Sequence, residues 1–177
     1  VPDIESDGTV KTLLAVDVLL GKEDLPPGEV LVAGSGLVGM ETATFLVERG
    51  FRVCVAEERD VPGVLPLSSH GYYLHHKLRE GGELLLGCKV IGVKGGTVLL
   101  ERKGERISLE VSSLVWAVGS RPERSVEAWI REAGLEPVPV GDVVEPRRML
   151  EAVKEGYERA RDLLAGREGD SRPDPRG

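Results

Sequence analysis

Asparagine and glutamine are both absent from this sequence of 177 residues, whereas Asp, Glu, Lys and Arg make up 30% of it. Depletion of the thermolabile amides together with many charged side chains is typical of proteins from thermophiles. A genome rich in G and C would shift the composition in the same direction and is the alternative explanation.

Cysteine, basic charge and long apolar runs are also scarce. The two cysteines, Cys54 and Cys88, lie in strand-like stretches and form no C-x-x-C motif, which favours reduced thiols. No apolar run approaches the length of a membrane span, and no secretory signal opens the chain. The formal net charge of −7 argues against a general nucleic-acid surface. We therefore expect a cytoplasmic protein that binds neither membranes nor nucleic acid.

A glycine-rich turn is the most informative motif that is present. Residues 30–33 form a short apolar run, the next six residues read Gly-Ser-Gly-Leu-Val-Gly, and a helical pattern then continues to Gly50. Strand, G-x-G-x-x-G and helix in immediate succession predict a dinucleotide-binding turn. The first glycine permits the tight turn, the second lets a pyrophosphate approach the backbone, and the third lets the helix pack closely. The predicted phosphate-binding residues are Gly34, Ser35, Gly36, Leu37, Val38 and Gly39.

An acidic residue follows at the expected distance. The next strand-like stretch, residues 51–57, ends in Glu57, about twenty residues beyond the glycines, where an acid would hydrogen-bond the adenosine ribose. Glu57 is our first choice for this role and Glu58 the second, and a free ribose favours NAD. Arg59 could instead receive a 2′-phosphate, so NADP is not excluded. The alternative is a turn that is glycine-rich for packing alone, with Glu57 a solvated strand end.

The rest of the chain predicts an α/β domain with an unusual crossover. We expect helices over residues 9–20 and, capped by Ser68 or Ser69, up to about Glu80, then a third parallel strand at 83–86. Residues 89–94, 97–102 and 106–111 alternate and are separated by turn signals, which predicts a three-stranded antiparallel meander. A buried strand follows at 114–118. His70, His75 and His76 share the second helix, where surface or half-buried histidines are favoured over a metal site.

The last third has a different character. It predicts a helix over 126–133, a strand over 136–140, and a helix from about Pro146 to Ala165 with Pro146 in its first turn. An apolar stripe on that helix is expected to be core; it consists of Leu150, Val153, Tyr157, Ala160 and Leu164. From Gly166 onward we expect a disordered tail.

Together, these motifs resemble the pyridine-nucleotide-dependent flavoprotein oxidoreductases that contain two nested dinucleotide domains. The order is the glycine motif with Glu41, the acid, the meander, Ala-Val-Gly-Ser-Arg-Pro at 117–122 and Val-Gly-Asp at 140–142. The closing stretch, residues 141–156, is similar to the C-terminal region of NADH:flavin oxidoreductases of the old yellow enzyme type, the group of 2,4-dienoyl-CoA reductase, trimethylamine dehydrogenase and NADH oxidase.

The resemblance implies a Rossmann-like three-layer fold, a parallel sheet with a β-meander crossover, plus part of an FAD domain. The implied organisation is a linker and first helix in 1–28, an NAD(P)-binding domain in 29–118, an FAD-domain segment in 119–165 and a tail in 166–177. It further implies that Gly119 lies near bound nucleotide and that Asp142 contacts the flavin. Glu41 matches a glutamate near the flavin–nicotinamide boundary, or it is an exposed first-turn carboxylate that complements the helix dipole.

The departures from the family matter as much. The sequence has one G-x-G-x-x-G, no cysteine quartet and no (β/α)8 repeat. The first FAD-binding glycine motif and the FMN and iron–sulphur barrel domain would therefore be partners in cis or trans, and the chain, which begins at Val1, is expected to be a piece of a larger polypeptide. We expect an isolated chain that binds NAD, lacks tight FAD binding, is inactive alone, and exposes an apolar surface that could drive homo-oligomer formation.

Two other functions stay in competition with an NAD(P)H domain that delivers hydride to FAD. One is a structural site for ADP or a similar nucleotide, without redox activity. The other is an interaction scaffold with a degenerate core that binds no nucleotide.

Overall fold

The computed structural model describes residues 2–168, with side chains to residue 166. The chain divides into two compact units, residues 1–118 and residues 119 onward, and each is described by itself. None of the described helices is both long and apolar enough to cross a membrane.

The first unit is built on a five-stranded parallel sheet. Its strands are β2 (Lys11–Leu14), β3 (Glu29–Ala33), β4 (Arg52–Glu57), β5 (Gly82–Leu86) and β9 (Ser113–Trp116), arranged in the order β2-β9-β3-β4-β5. The chain moves from β3 to β4 and β5 on one side and later places β9 on the other side. The carboxyl end of β3 is therefore the topological switch point, where open α/β sheets bind ligands.

Three layers form around this sheet because its central strands are apolar on both faces. On β3, Val30 and Val32 face α1 (Ala15–Leu19), α2 (Leu37–Glu48) and α3 (Ser69–Gly81), whereas Leu31 and Ala33 belong to the opposite cluster. That cluster also contains buried side chains of a second sheet. The second sheet consists of β1 (Glu5–Ser6), β6 (Lys89–Lys94), β7 (Thr97–Arg102) and β8 (Glu105–Glu110), in the order β1-β6-β7-β8. The predicted Rossmann-like fold with an antiparallel meander is thus confirmed.

The prediction for the first twenty residues was wrong in detail. Residues 11–14 form a strand parallel to β9, and only residues 15–19 are helical. Residues 5–6, expected to be linker, pair with β6. These pairings join positions 87 and 102 residues apart, so the local apolar spacing of 9–20 could not reveal them.

The second unit contains α4 (Ser125–Glu132), a 3-10 turn (Gly141–Val143) and α5 (Met149–Glu168). The helix predicted near 126–133 is confirmed, but residues 136–140 form no strand. Pro146 precedes α5 instead of occupying its first turn, and α5 continues through Gly166 to Glu168. The remainder of the predicted tail, 169–177, lies outside the described residues.

The apolar stripe of α5 is not core in this structure. Its four large side chains are each more than 60% exposed; they are Leu150, Val153, Tyr157 and Leu164. Helical spacing identified the stripe correctly, but within residues 2–168 no element covers it.

Candidate functional site

Two of the three glycines are required by packing in the turn between β3 and α2. Gly34 has φ +103°, and a Cβ on it would lie 2.7 Å from the carbonyl oxygen of Ala117, just beyond β9. A Cβ on Gly39 would lie 2.0 Å from the carbonyl oxygen of Gly34. The turn and the start of α2 therefore lie too close to their neighbours for a side chain at either position, as the sequence pattern predicts.

Gly36 differs from the other two glycines of the motif. Its φ is −64°, which any residue can adopt, and a Cβ on it would meet no atom of the described part of the chain within 4 Å. The protein's own packing therefore does not need glycine here. The open space in front of this backbone is where a ligand that must approach closely would fit.

The start of α2 offers unclaimed backbone donors beside that space. Among the described residues, no side chain caps this helix and no acid lies in its first turn, although Met40 N donates to Gly36 O at 2.9 Å. Leu37 and Val38 are exposed. Free first-turn N–H groups and the positive end of the helix dipole attract anions, phosphates above all.

Glu57 lies behind the glycine turn and is buried, with 6% of its surface exposed. Its Oε2 accepts from Ser35 N at 3.0 Å and from Ser35 Oγ at 2.6 Å. Its Oε1 accepts from Arg59 N at 3.2 Å and from Arg59 Nε at 2.9 Å. The carboxylate thus binds the glycine turn to the end of β4.

Burial alone would raise the pKa of the Glu57 carboxyl, because a low dielectric disfavours its charged form. The four hydrogen bonds from Ser35 and Arg59 outweigh burial and lower the pKa to about 2. Glu57 is therefore a charged residue at any physiological pH.

Glu58 and Arg59 lie on the surface beside it. Glu58 forms an ion pair with Lys89 of β6 at 3.0 Å, and both side chains are exposed. Arg59 contacts Glu57 through Nε, and its side chain is 61% exposed. The three charged residues predicted for the adenosine side are thus adjacent, but each already has a partner within the protein.

The loop from β4 to α3, residues 58–68, packs over the turn in a way that sequence reasoning missed. Gly63 N donates to Ser35 Oγ at 2.7 Å, and Val64 N donates to Ser35 O at 2.9 Å. His75 Nε2 lies 2.7 Å from Val64 O and holds the loop from α3. A lone glycine among prolines was the one signal in the sequence, and it does not specify these contacts.

The structure also shows the surroundings of other residues that the sequence singled out. Glu41 is the fifth residue of α2 and lies beyond its first turn, so the prediction of a first-turn carboxylate that complements the helix dipole was wrong. Its Oε1 is 3.2 Å from His70 Nε2, which links α2 to α3. Ser68 is confirmed as the N-cap of α3, because its Oγ accepts from Gly71 N at 3.0 Å. Cys54 and Cys88 are both buried and free.

In the second unit, the Gly-Asp pair sits on the 3-10 turn. Gly141 has φ +66°, and its N–H donates to Glu155 Oε2 at 2.8 Å. Asp142 is exposed and accepts from Arg147 N at 3.3 Å, while Arg147 also pairs with Glu155. Glu155 of α5, which sequence reasoning missed, thus stabilises the turn by accepting the hydrogen bond from Gly141 N. Gly119 has φ +101° and open space around it.

Comparison with known proteins agrees with this architecture. Residues 2–153 match the family model described as pyridine nucleotide-disulphide oxidoreductase. A bilirubin reductase of Mediterraneibacter gnavus is 33% identical over 146 residues, which cover 78% of this chain and 22% of the relative. An NADH oxidase of Thermoanaerobacter brockii is 27% identical over 148 residues, covering 81% and 23%.

Solved structures show the same fold. Histamine dehydrogenase from Rhizobium sp. 4-9 aligns with a TM-score of 0.76 at 17% identity, covering 99% of this chain and 28% of that one. A 2-naphthoyl-CoA reductase aligns with a TM-score of 0.74 at 20% identity, covering 89% and 24%. The chain therefore spans about a quarter of the length of these relatives.

The matches confirm the resemblance to flavoproteins with two dinucleotide domains. On the match over residues 2–153, the chain belongs to the pyridine nucleotide-disulphide oxidoreductase family and is an oxidoreductase domain of that family.

Proposed function

We propose that residues 29–118 bind the diphosphate and adenosine of NAD(P)H and so orient its nicotinamide toward FAD held mainly by another part of the enzyme. The observation that carries the proposal is Gly36. A Cβ at this position would meet no atom of the described residues within 4 Å, yet the position is glycine and faces open space beside the free amides of α2.

The chain's own residues then have distinct tasks. The Gly36–Gly39 backbone would hold the pyrophosphate through N–H groups and the helix dipole. Gly34 and Gly39 keep α2 close enough to β3 and β9 for those groups to lie at the switch point. Glu57 fixes Ser35, and through it the conformation of the turn.

The bound cofactor would supply the hydride chemistry, and the protein would supply binding, orientation and electrostatics. We assign no acid, base or nucleophile in this chain. In the second unit, Asp142 and the exposed backbone at Gly119 are our candidates for contact with the flavin, with Glu155 as the residue that positions the Gly141–Asp142 turn.

The test is calorimetric titration of the chain with NADH, NADPH, ADP and FAD. We expect a reduced pyridine nucleotide to bind more tightly than ADP, and Gly36→Val to abolish that binding without unfolding the chain. Gly156→Val is the matched control, because Gly156 also faces open space but lies on α5.

Equal affinity for ADP and the reduced nucleotides would instead indicate a structural nucleotide site, and no binding at all would indicate a scaffold. Unchanged binding in Gly36→Val would refute the assignment of the pyrophosphate to this turn. Tight FAD binding would refute the claim that FAD is held mainly elsewhere.

A further inference from the structure

The carboxylate expected to bind the adenosine ribose has no free capacity in this structure. A carboxylate offers about four acceptor positions. Ser35 fills two on one oxygen of Glu57, and Arg59 fills two on the other. A ribose hydroxyl could reach Glu57 only by displacing Arg59 or Ser35.

The second candidate acid is also engaged. Glu58 pairs with Lys89 at 3.0 Å, so the negative charge at this exposed position is compensated by an adjacent ammonium group. The two residues that would favour an unphosphorylated ribose are thus both bound to cations of the protein.

Arg59 is arranged differently. Its Nε is fixed by Glu57 at 2.9 Å, and its side chain is 61% exposed. Among the residues that the structure describes, neither terminal nitrogen of its guanidinium has a hydrogen-bond acceptor. A guanidinium held by one edge presents its remaining donors as a planar pair, the geometry that matches two oxygens of a phosphate.

From this arrangement we propose that the adenosine side of the site selects a 2′-phosphorylated nucleotide, NADPH over NADH, with Arg59 as the phosphate-binding residue and Glu57 as the residue that positions it. The inference rests on the proposed function, because it assigns specificity to the same nucleotide site. It reverses the preference for NAD that the position of Glu57 in the sequence suggested.

The fold supports the location as well as the chemistry. Arg59 lies two residues beyond the carboxyl end of β4, the strand adjacent to the glycine turn, where adenosine ribose is bound in dinucleotide-binding folds. Gly87 N donates to Arg59 O at 2.9 Å, so the backbone that carries the arginine is anchored to the segment after β5. Arg59 is therefore held in place twice, through its backbone carbonyl and through the Nε of its side chain.

The experiment uses two probes that differ only in the 2′-phosphate, adenosine 2′,5′-bisphosphate and 5′-AMP, titrated calorimetrically into the wild type, Arg59→Ala and Arg52→Ala. Arg52 is an exposed arginine at the opposite end of β4, so its variant carries the same charge change away from the site. NADH and NADPH are titrated in parallel.

We expect the wild type to bind the bisphosphate about tenfold to a hundredfold more tightly than 5′-AMP, the range for hydrogen bonds to a charged group. Arg59→Ala should remove this preference by weakening the bisphosphate alone. Its affinity for 5′-AMP should stay or rise, because Glu57 Oε1 would be freed to accept a ribose hydroxyl. Arg52→Ala should keep the wild-type preference.

Equal binding of the two probes by the wild type, or an equal loss of both in Arg59→Ala, would overturn the specificity while leaving the nucleotide site in place. A wild type that binds neither probe and neither dinucleotide would overturn the proposed function, and the specificity with it. Thermal melting of each variant checks that a loss of binding is not a loss of folding.

Discussion

The buried carboxylate of Glu57 should make the stability of the domain depend on pH in a defined window. Its pKa is lowered from an ordinary 4.5 to about 2 in the folded protein. A group whose pKa is depressed by folding stabilises the fold above its unfolded pKa and loses that contribution as pH falls through its folded pKa. The relevant window is therefore pH 4.5 down to about 2.

The size of the effect follows from the same two values. The difference between 4.5 and about 2, at about 1.4 kcal/mol for each pH unit, corresponds to about 3 kcal/mol of unfolding free energy at neutral pH. Domains of this kind have total stabilities of about 5–15 kcal/mol, so one side chain would supply a large share. By linkage, more than half of the contribution is lost by about pH 3.

The assay is urea unfolding of the wild type and Glu57→Gln at a series of pH values from 7 to 3. Glutamine keeps the shape but replaces one oxygen with a donor that faces Ser35 or Arg59, so the variant should be less stable by about 3 kcal/mol at pH 7. The gap between the two proteins should narrow as pH falls. Glu58→Gln is the control, because its surface ion pair should be worth about 0–1 kcal/mol.

A gap between wild type and Glu57→Gln that stays constant from pH 7 to pH 3 would refute the reasoning. It would mean that the carboxyl is not ionised against Ser35 and Arg59 in the folded state. The specificity argument for Arg59 would then lose its positioning residue.

Two further predictions concern packing. Gly39→Ala should destabilise the chain by about 1–3 kcal/mol or more, because the new methyl group would lie 2.0 Å from Gly34 O. Gly156→Ala, in open space on α5, should instead raise stability by up to about 1 kcal/mol, and similar urea midpoints for the two variants would contradict this. Leu150→Gln should change the unfolding free energy by no more than about 0.5 kcal/mol, because the side chain is 70% exposed. A loss of about 2 kcal/mol or more, together with a change in sedimentation, would show that self-association covers the α5 stripe.

The features that local pattern determines were predictable from the sequence. The strand β3 reads as an apolar run because both faces of a central parallel strand are covered. The meander was predictable because Gly95-Gly96 and the Lys103–Glu105 segment mark its two turns, and the strands alternate between them. The roles of Gly34 and Gly39 followed from the motif and agree with the distances.

Contacts between distant segments were not predictable. The apolar spacing of residues 9–20 fits a helix, and only the pairing with β9 makes residues 11–14 a strand. The position of Glu57 at the end of β4 was evident from the sequence. Its four hydrogen bonds were not, because they depend on how the backbone and side chains of Ser35 and Arg59 are oriented in the fold. The α5 stripe shows that an amphipathic pattern identifies an apolar face and not what covers it.

The strand β2 has a consequence for handling this domain. It pairs with β9 from Lys11–Ser113 to Leu14–Trp116 and so covers one edge of the parallel sheet. All four residues of β9 are buried. A shorter fragment beginning at Glu29 would leave that edge as an unpaired, apolar template for strands of other molecules, which is a recognised route to aggregation. The first twenty residues thus protect this edge of the sheet from other molecules. We expect their removal to lower the solubility of the domain, whether or not it changes nucleotide affinity.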